Sequence, residues 1–238
     1  MSFLIMMGLI YFVILLRSFL CPQHPHVLNV YFGVPGSGKT TFAAYLTRWA
    51  LHENVIIRFC RKYRNPVTNA VFNSKYFKRR IDVYSNVPIT GAYQLDPKAD
   101  IGNYMIENAK IIIDEAGIEY NNRSYKTFTQ EAIYFYKYHR HYQTSVDVFS
   151  QSYDDMDITL RRLAQNFYVV RRSLIPFCVV ARRIRRKVGI DEHTKQITDL
   201  YSMGMPFLDT KRIFSPPLWK MFNSYSRKEL PQKEWGRW

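Results

Sequence analysis

Cysteine is scarce in this chain: Cys21, Cys60 and Cys178 are all that 238 residues contain, far apart and odd in number. No CxxC pair and no Cys/His cluster occurs, which argues against a zinc site. Free thiols in a reducing compartment are the expectation. Acidic residues are also few, 19 Asp and Glu against 34 Lys and Arg, leaving a net charge of +15. An excess of that size implies polyanionic partners, either DNA or the anionic inner leaflet of a membrane. Internal repeats, low-complexity tracts and motifs that read base edges are lacking. Contact with DNA should therefore be non-specific. What the chain has is 47% hydrophobic residues, enough for a packed core, which excludes a disordered polymer. Its 18 Tyr and 16 Phe point either to aromatic core packing or to stacking on nucleic-acid bases.

One long apolar run is present, FLIMMGLIYFVILLRSFL over Phe3 to Leu20, with Arg17 its only charge. As a helix it would be about 27 Å long, close to the hydrocarbon thickness of a bilayer. No Lys or Arg precedes it, so it lacks the positive start of a signal peptide. It is apolar on every face, unlike a surface helix. A buried core helix is an alternative. A single membrane span is the reading adopted, with Arg17 at the interface. The positive charge downstream then puts the remainder of the chain in the cytoplasm, as a single-pass protein of the inner membrane.

The run VLNVYF (Val27 to Phe32) is rich in strand formers and leads into Gly33-Val34-Pro35-Gly36-Ser37-Gly38-Lys39-Thr40. That octet satisfies GxxxxGK[ST] at every fixed position, and the helical stretch TTFAAYLTRWAL follows from Thr40, with Thr41 in its first turn. Glycines let the loop aim its N–H groups at phosphates. Lys39 reaches the β- and γ-phosphates, and the Thr40 hydroxyl ligates Mg²⁺. The positive end of the helix faces the same anion. ATP is the expected ligand, with GTP the alternative.

A P-loop enzyme needs a further acid. The strand-like run AKIII (Ala109 to Ile113) ends in Asp114-Glu115, about 75 residues after Lys39. Asp114 is placed to hold Mg²⁺ and Glu115 to activate water. The interval leaves room for another strand and suits an additional-strand P-loop ATPase. The run SVDVF (Ser145 to Phe149) ends near Gln151, a candidate γ-phosphate sensor.

Strands are also expected at Val55 to Phe59 and Ile81 to Tyr84, and a helix over Thr127 to His141 with Phe128, Ala132, Phe135 and Tyr138 on its packed face. Alternating strands and helices predict an α/β fold, a parallel sheet sandwiched by helices. After Met156 to Leu163, three strands (Phe167 to Val170, Phe177 to Ala181, Ile197 to Tyr201) read as a small antiparallel β addition, with a turn at Gly189 and Asp191 to His193. The expected organisation is an anchor at 1–21, an ATPase core at 22–165, a β-rich part at 166–225 and a polar tail at 226–238. Basic clusters lie at Arg61-Lys62-Tyr63-Arg64, at Lys75, Lys78, Arg79 and Arg80, at Arg171-Arg172, and over Arg182 to Lys187. They fit a DNA backbone or anionic lipid.

In order along the chain stand GVPGSGKT, YSNVPI, IIIDEAG, YKYHRHYQTSVDVFSQS and LWKMFNSY. Together, over roughly Val27 to Tyr225, they resemble the zonular occludens toxin (Zot)-like family, which includes the gene I assembly proteins of filamentous phages. The resemblance implies a membrane-bound ATPase that drives assembly and extrusion of phage, with its single-stranded DNA and other phage assembly proteins, through the inner membrane. It also implies kinship with FtsK/HerA-type DNA pumps, a homo-oligomeric ring, and an arginine supplied by a neighbouring subunit, for which Arg161 or Arg162 is the candidate. A plasmid-transfer or packaging ATPase and a nucleotide-gated membrane scaffold are the alternatives. Family members ordinarily carry the span after the ATPase; here it comes first.

Overall fold

The computed structural model describes residues 26–53, 55–73, 79–116, 129–154, 156–190, 197–206 and 208–223. The apolar run at 3–20, Phe128, Lys75, Lys78, the expected turn at Asp191 to His193 and the tail at 226–238 lie outside them. Among the described residues no helix is long and apolar enough to cross a membrane.

Among the described residues, nine strands form one sheet. The P-loop strand β1 (Leu28–Phe32) sits in its middle and is buried almost throughout, with Leu28 and Val30 on one face of the pleat and Asn29 and Tyr31 on the other. β2 (Asp82–Ser85), β3 (Tyr93–Gln94), β4 (Ala109–Ile113) and β5 (Ser145–Ser150) lie to one side of it, in the spatial order β3-β2-β4-β5-β1, all parallel. β5 therefore separates the strand that leads into the P-loop from the strand that ends at Asp114, and bonds to both. The strand for which the interval between Lys39 and Asp114 leaves room is β2, which lies on the far side of β4; the inserted strand β5 comes from the SVDVF run after Asp114. On the other side come β6 (Asn166–Arg172), β7 (Cys178–Ile190) and β8 (Ile197–Met203). β9 (Thr210–Phe214) lies end to end with β8 along the same edge of β7. The architecture is a mixed α/β sheet with mostly parallel strands.

Alternation along the central strands divides the core in two. Val30, Ile111, Ile113, Val146 and Val148 face one way. They meet Ala132, Phe135 and Tyr136 of one helix (α4, Gln130–Tyr138) and Leu160 of another (α5, Ile158–Leu163). Tyr31, Ile112 and Phe149 face the other way, under Phe42, Ala43 and Leu46 of the helix that follows the P-loop (α1, Lys39–Leu51). There Tyr31 is stacked between Phe149 and Tyr168, 4.8 Å to each ring centroid, with Phe42 at 5.2 Å. These aromatic side chains are core packing, whereas Phe59, Tyr93, Tyr104, Phe177 and Trp219 are among those more than half exposed.

The order of charges inside this second layer was not legible from strand patterns. Lys110 on β4 and Asp147 on β5 form an ion pair with both side chains almost fully enclosed. Asn29 on β1 donates to Asp147 at 2.7 Å, and Asn166 on β6 donates to Asn29 at 2.9 Å. Four neighbouring strands are thereby crossed by one polar chain.

Several expectations are corrected. Val55 to Phe59 is not a strand but the start of a helix (α2, Val55–Lys62), followed by α3 (Pro66–Asn73). Ile57 and Cys60 are buried while Arg58, Phe59, Arg61 and Lys62 are exposed, a spacing of three that suits a helix and not the two of a strand. Arg61 and Lys62 then fall in its last turn, where the helix dipole favours cations. In α4 it is Tyr136, not Tyr138, that packs inward beside Phe135. Of the three strands assigned to an antiparallel addition, β6 is shared: it runs parallel to β1 on one edge and antiparallel to β7 on the other, and β7 in turn pairs antiparallel with β8 and with β9, a strand not anticipated. Gly189 lies within β7 and not in a turn.

Candidate nucleotide site

At the C-terminal ends of β1, β4 and β5 the chain opens into a cavity of about 750 Å³. Pro35, Gly36, Gly38, Lys39, Thr40 and Thr41 line it from the loop after β1 and the first turn of α1. Asp114 and Glu115 enter from β4, and Gln151 from β5. Gln151 comes close because Phe32 and Ser150 are partners in register and the Gly33 N–H donates to the Ser150 carbonyl at 3.3 Å.

The loop is shaped for backbone approach. Gly38 has φ +97°, and a Cβ there would stand 2.6 Å from a Val179 methyl, so glycine is required on both counts. Gly33 has no room either, since a Cβ would meet the Val170 carbonyl oxygen at 2.3 Å. The Ser37 hydroxyl is buried and has no hydrogen-bond partner within the protein. Lys39 turns back into the loop, its Nζ donating to the carbonyls of Gly33 at 2.8 Å and Val34 at 3.3 Å. Burial lowers its ammonium below the ordinary lysine value, opposed by the nearby Asp114 and Glu115 carboxylates. Val34 is exposed at the loop's tip.

Opposite, the Thr40 hydroxyl donates to Asp114 Oδ2 at 2.8 Å. Burial raises the Asp114 carboxyl above the usual carboxylate range, while the bonds from Thr40 and from the Glu115 N–H lower it. A buried carboxylate beside a hydroxyl, both hard oxygen donors, fits Mg²⁺, and Thr40 and Asp114 are the residues that would hold it. Glu115 has φ +53°, uncommon for a residue with a side chain, and stays exposed at the cavity while Asp114 is buried.

Two contributors were not singled out from the sequence. Asn86, in the loop after β2, grips Asp114 by its backbone: its Nδ2 donates to the Asp114 carbonyl at 2.9 Å and its Oδ1 accepts the Asp114 N–H at 2.8 Å. The SNVP segment thus has a physical task, fixing where the acidic pair points. Asn86→Ala should lower kcat about ten- to a hundred-fold with KM little changed. A raised KM at unchanged kcat, in steady-state hydrolysis, would show that Asn86 does not position the acids. The second is Arg172, at the end of β6, whose Nε donates to the Gly36 carbonyl at 2.8 Å and which lines the cavity. Its place in an Arg-Arg pair was the only signal.

Arg161 and Arg162 lie on α5, away from the cavity of their own chain. Arg161 reaches Asp154 at 3.4 Å and covers the Tyr153 ring at 4.9 Å; Arg162 is exposed. Of the basic clusters, Arg182 is bonded to the Gly204 carbonyl and Arg185 to Asp209. Lys62, Arg64, Arg80 and Arg171 are exposed.

The profile of the family described as "Zonular occludens toxin (Zot)" matches residues 28–195, more than half of the chain. Among solved structures, the N-terminal domain of zonular occludens toxin from Neisseria meningitidis is similar at 16% identity and TM-score 0.49, over 84% of this chain and 100% of that one. The genome-packaging NTPase B204 of Sulfolobus turreted icosahedral virus 2, in complex with ATP-gammaS, is similar at 13% identity and TM-score 0.38, over 74% and 97%. The RadB recombinase is similar at 16% identity and TM-score 0.38, over 71% and 85%. No curated protein matches.

Proposed function

The chain belongs to the zonular occludens toxin (Zot) family, and we propose that it is a Mg²⁺-dependent ATPase of the inner membrane that powers assembly and extrusion of a filamentous phage with its single-stranded DNA. The observation that carries the ATPase is the convergence of Lys39, Thr40, Asp114 and Glu115 on one cavity, with Thr40 and Asp114 already in contact. Lys39 exchanges the carbonyls of Gly33 and Val34 for β- and γ-phosphate oxygens. Bound Mg²⁺ supplies charge neutralisation on those oxygens. Glu115 takes a proton from water as its oxygen bonds to the γ-phosphorus and the bond to the β–γ bridging oxygen breaks, releasing ADP and phosphate. Gln151, which lines the same cavity, would sense the γ-phosphate.

The membrane part of the reading is supported by the apolar run at 3–20 and the positive charge that follows it. The DNA part is supported by the net charge of +15 and the exposed Lys62, Arg64, Arg80 and Arg171. In a ring, Arg161 or Arg162 would complete the site of a neighbour.

The test is Mg²⁺-dependent ATP hydrolysis by the full chain in detergent and in liposomes, alone and with single- or double-stranded DNA. Hydrolysis that rises with single-stranded DNA is expected. A preference for duplex DNA would favour a packaging-type pump, and ATP binding without hydrolysis in any condition would sink the motor.

A further inference from the structure

The cavity has two chemically distinct ends. One is the phosphate cradle. The other is built by two C-terminal elements: the turn 173–177 between β6 and β7, and the 3-10 helix Pro216–Met221. We propose that this second end is a base subsite, in which the base of the bound nucleoside triphosphate packs against the exposed faces of the Phe177–Trp219 pair and Ser215 bonds its edge. The proposal rests on the nucleotide reading above and names the part of the ligand that the P-loop does not.

Three observations carry it. First, Phe177 and Trp219 are both more than half exposed, yet held near each other with ring centroids 6.0 Å apart at 69°. Apolar rings that fold without being buried are available to a ligand. Second, Phe177 has φ +60°, a conformation that costs energy in a bulky residue. Its carbonyl accepts the Ser215 N–H at 2.8 Å, so the two elements hold this strained residue between them. Third, Ser215 lines the cavity, and its hydroxyl is buried with no hydrogen-bond partner within the protein.

The anchoring is firm where the rings are free. Leu218 is buried in the core layer under α1, and the Met221 carbonyl accepts from the Thr90 N–H and hydroxyl at 2.7 and 3.1 Å. Trp219 is left facing the cavity. At about 750 Å³ the space takes a whole nucleotide and not the triphosphate alone. A serine hydroxyl can donate or accept, so it suits the edge of adenine and of guanine alike. The subsite therefore does not choose between ATP and GTP.

The experiment compares calorimetric binding of ATP, GTP and inorganic tripolyphosphate, each with Mg²⁺, to the full-length wild type, Trp219→Ala and Phe177→Gly. Wild type should bind ATP and GTP alike, and both better than tripolyphosphate. Either variant should bind ATP about ten-fold more weakly, the loss of one stacking contact, with tripolyphosphate unchanged. Glycine at 177 also relieves the strained backbone, and unchanged tripolyphosphate binding reports that the fold is kept. Wild type binding tripolyphosphate as tightly as ATP would overturn the subsite while leaving the phosphate site intact. Equal losses of ATP and tripolyphosphate in the variants would do the same, by reducing the rings to a structural role. Wild type binding none of the three would overturn the nucleotide reading itself.

Discussion

Lys39→Ala should reduce Mg²⁺-dependent ATP hydrolysis by at least about a hundred-fold and weaken nucleotide binding with it, because one residue carries both tasks. The ammonium is buried, its charge opposed by desolvation and favoured by Asp114 and Glu115. It is held by two loop carbonyls that a phosphate can replace with little movement. Glu115→Gln should behave differently. The amide keeps the shape and cannot take a proton, so hydrolysis should fall by a similar factor while ATP still binds. Single-turnover hydrolysis and equilibrium binding, measured side by side, separate the two. Full activity in Glu115→Gln would remove that residue from the chemistry and pass the role of base to another group.

Asp147→Ala should cost about 3–5 kcal/mol of folding stability, read as a shift in denaturant midpoint. The substitution leaves the Lys110 ammonium enclosed with its counter-charge gone and also frees the Asn29 amide. The paired replacement Lys110→Met with Asp147→Leu should cost far less, since it removes both charges and keeps the volume. A single variant as stable as wild type would mean that water reaches Lys110 and that the polar chain across the sheet is dispensable.

That buried pair also marks how far the sequence could be read. The P-loop was legible because its glycines and lysine stand at fixed spacings after an apolar run. Asp114 was legible because an acid at the end of AKIII breaks a hydrophobic pattern. Lys110 and Asp147 looked like ordinary interruptions of strands. Their meaning lies in the register between β4 and β5, which a one-dimensional pattern does not contain. Val55 to Phe59 was misread because β-branched residues favour strands, whereas burial of Ile57 and Cys60 favours a helix. β9 escaped notice because TKRIF buries only Ile213, too little to show alternation. Phe177, Ser215 and Trp219 carry no spacing signal, since one lies in a hairpin turn and two in a segment some forty residues later. Their proximity is a product of folding.

β7 has a mechanical consequence. Among the described residues, its first half is bonded on both edges, by β6 and β9, and its second half on one edge, by β8. It is a beam about 40 Å long at 3.3 Å per residue, clamped at its root and extending beyond the main sheet. Antiparallel ladder bonds run across the strands, so tension along the beam loads them in shear together and does not peel them apart one at a time. Its root is joined through β6 to Arg172, which holds Gly36. A load along β7 thus has a bonded route through β6 and Arg172 to Gly36 of the P-loop.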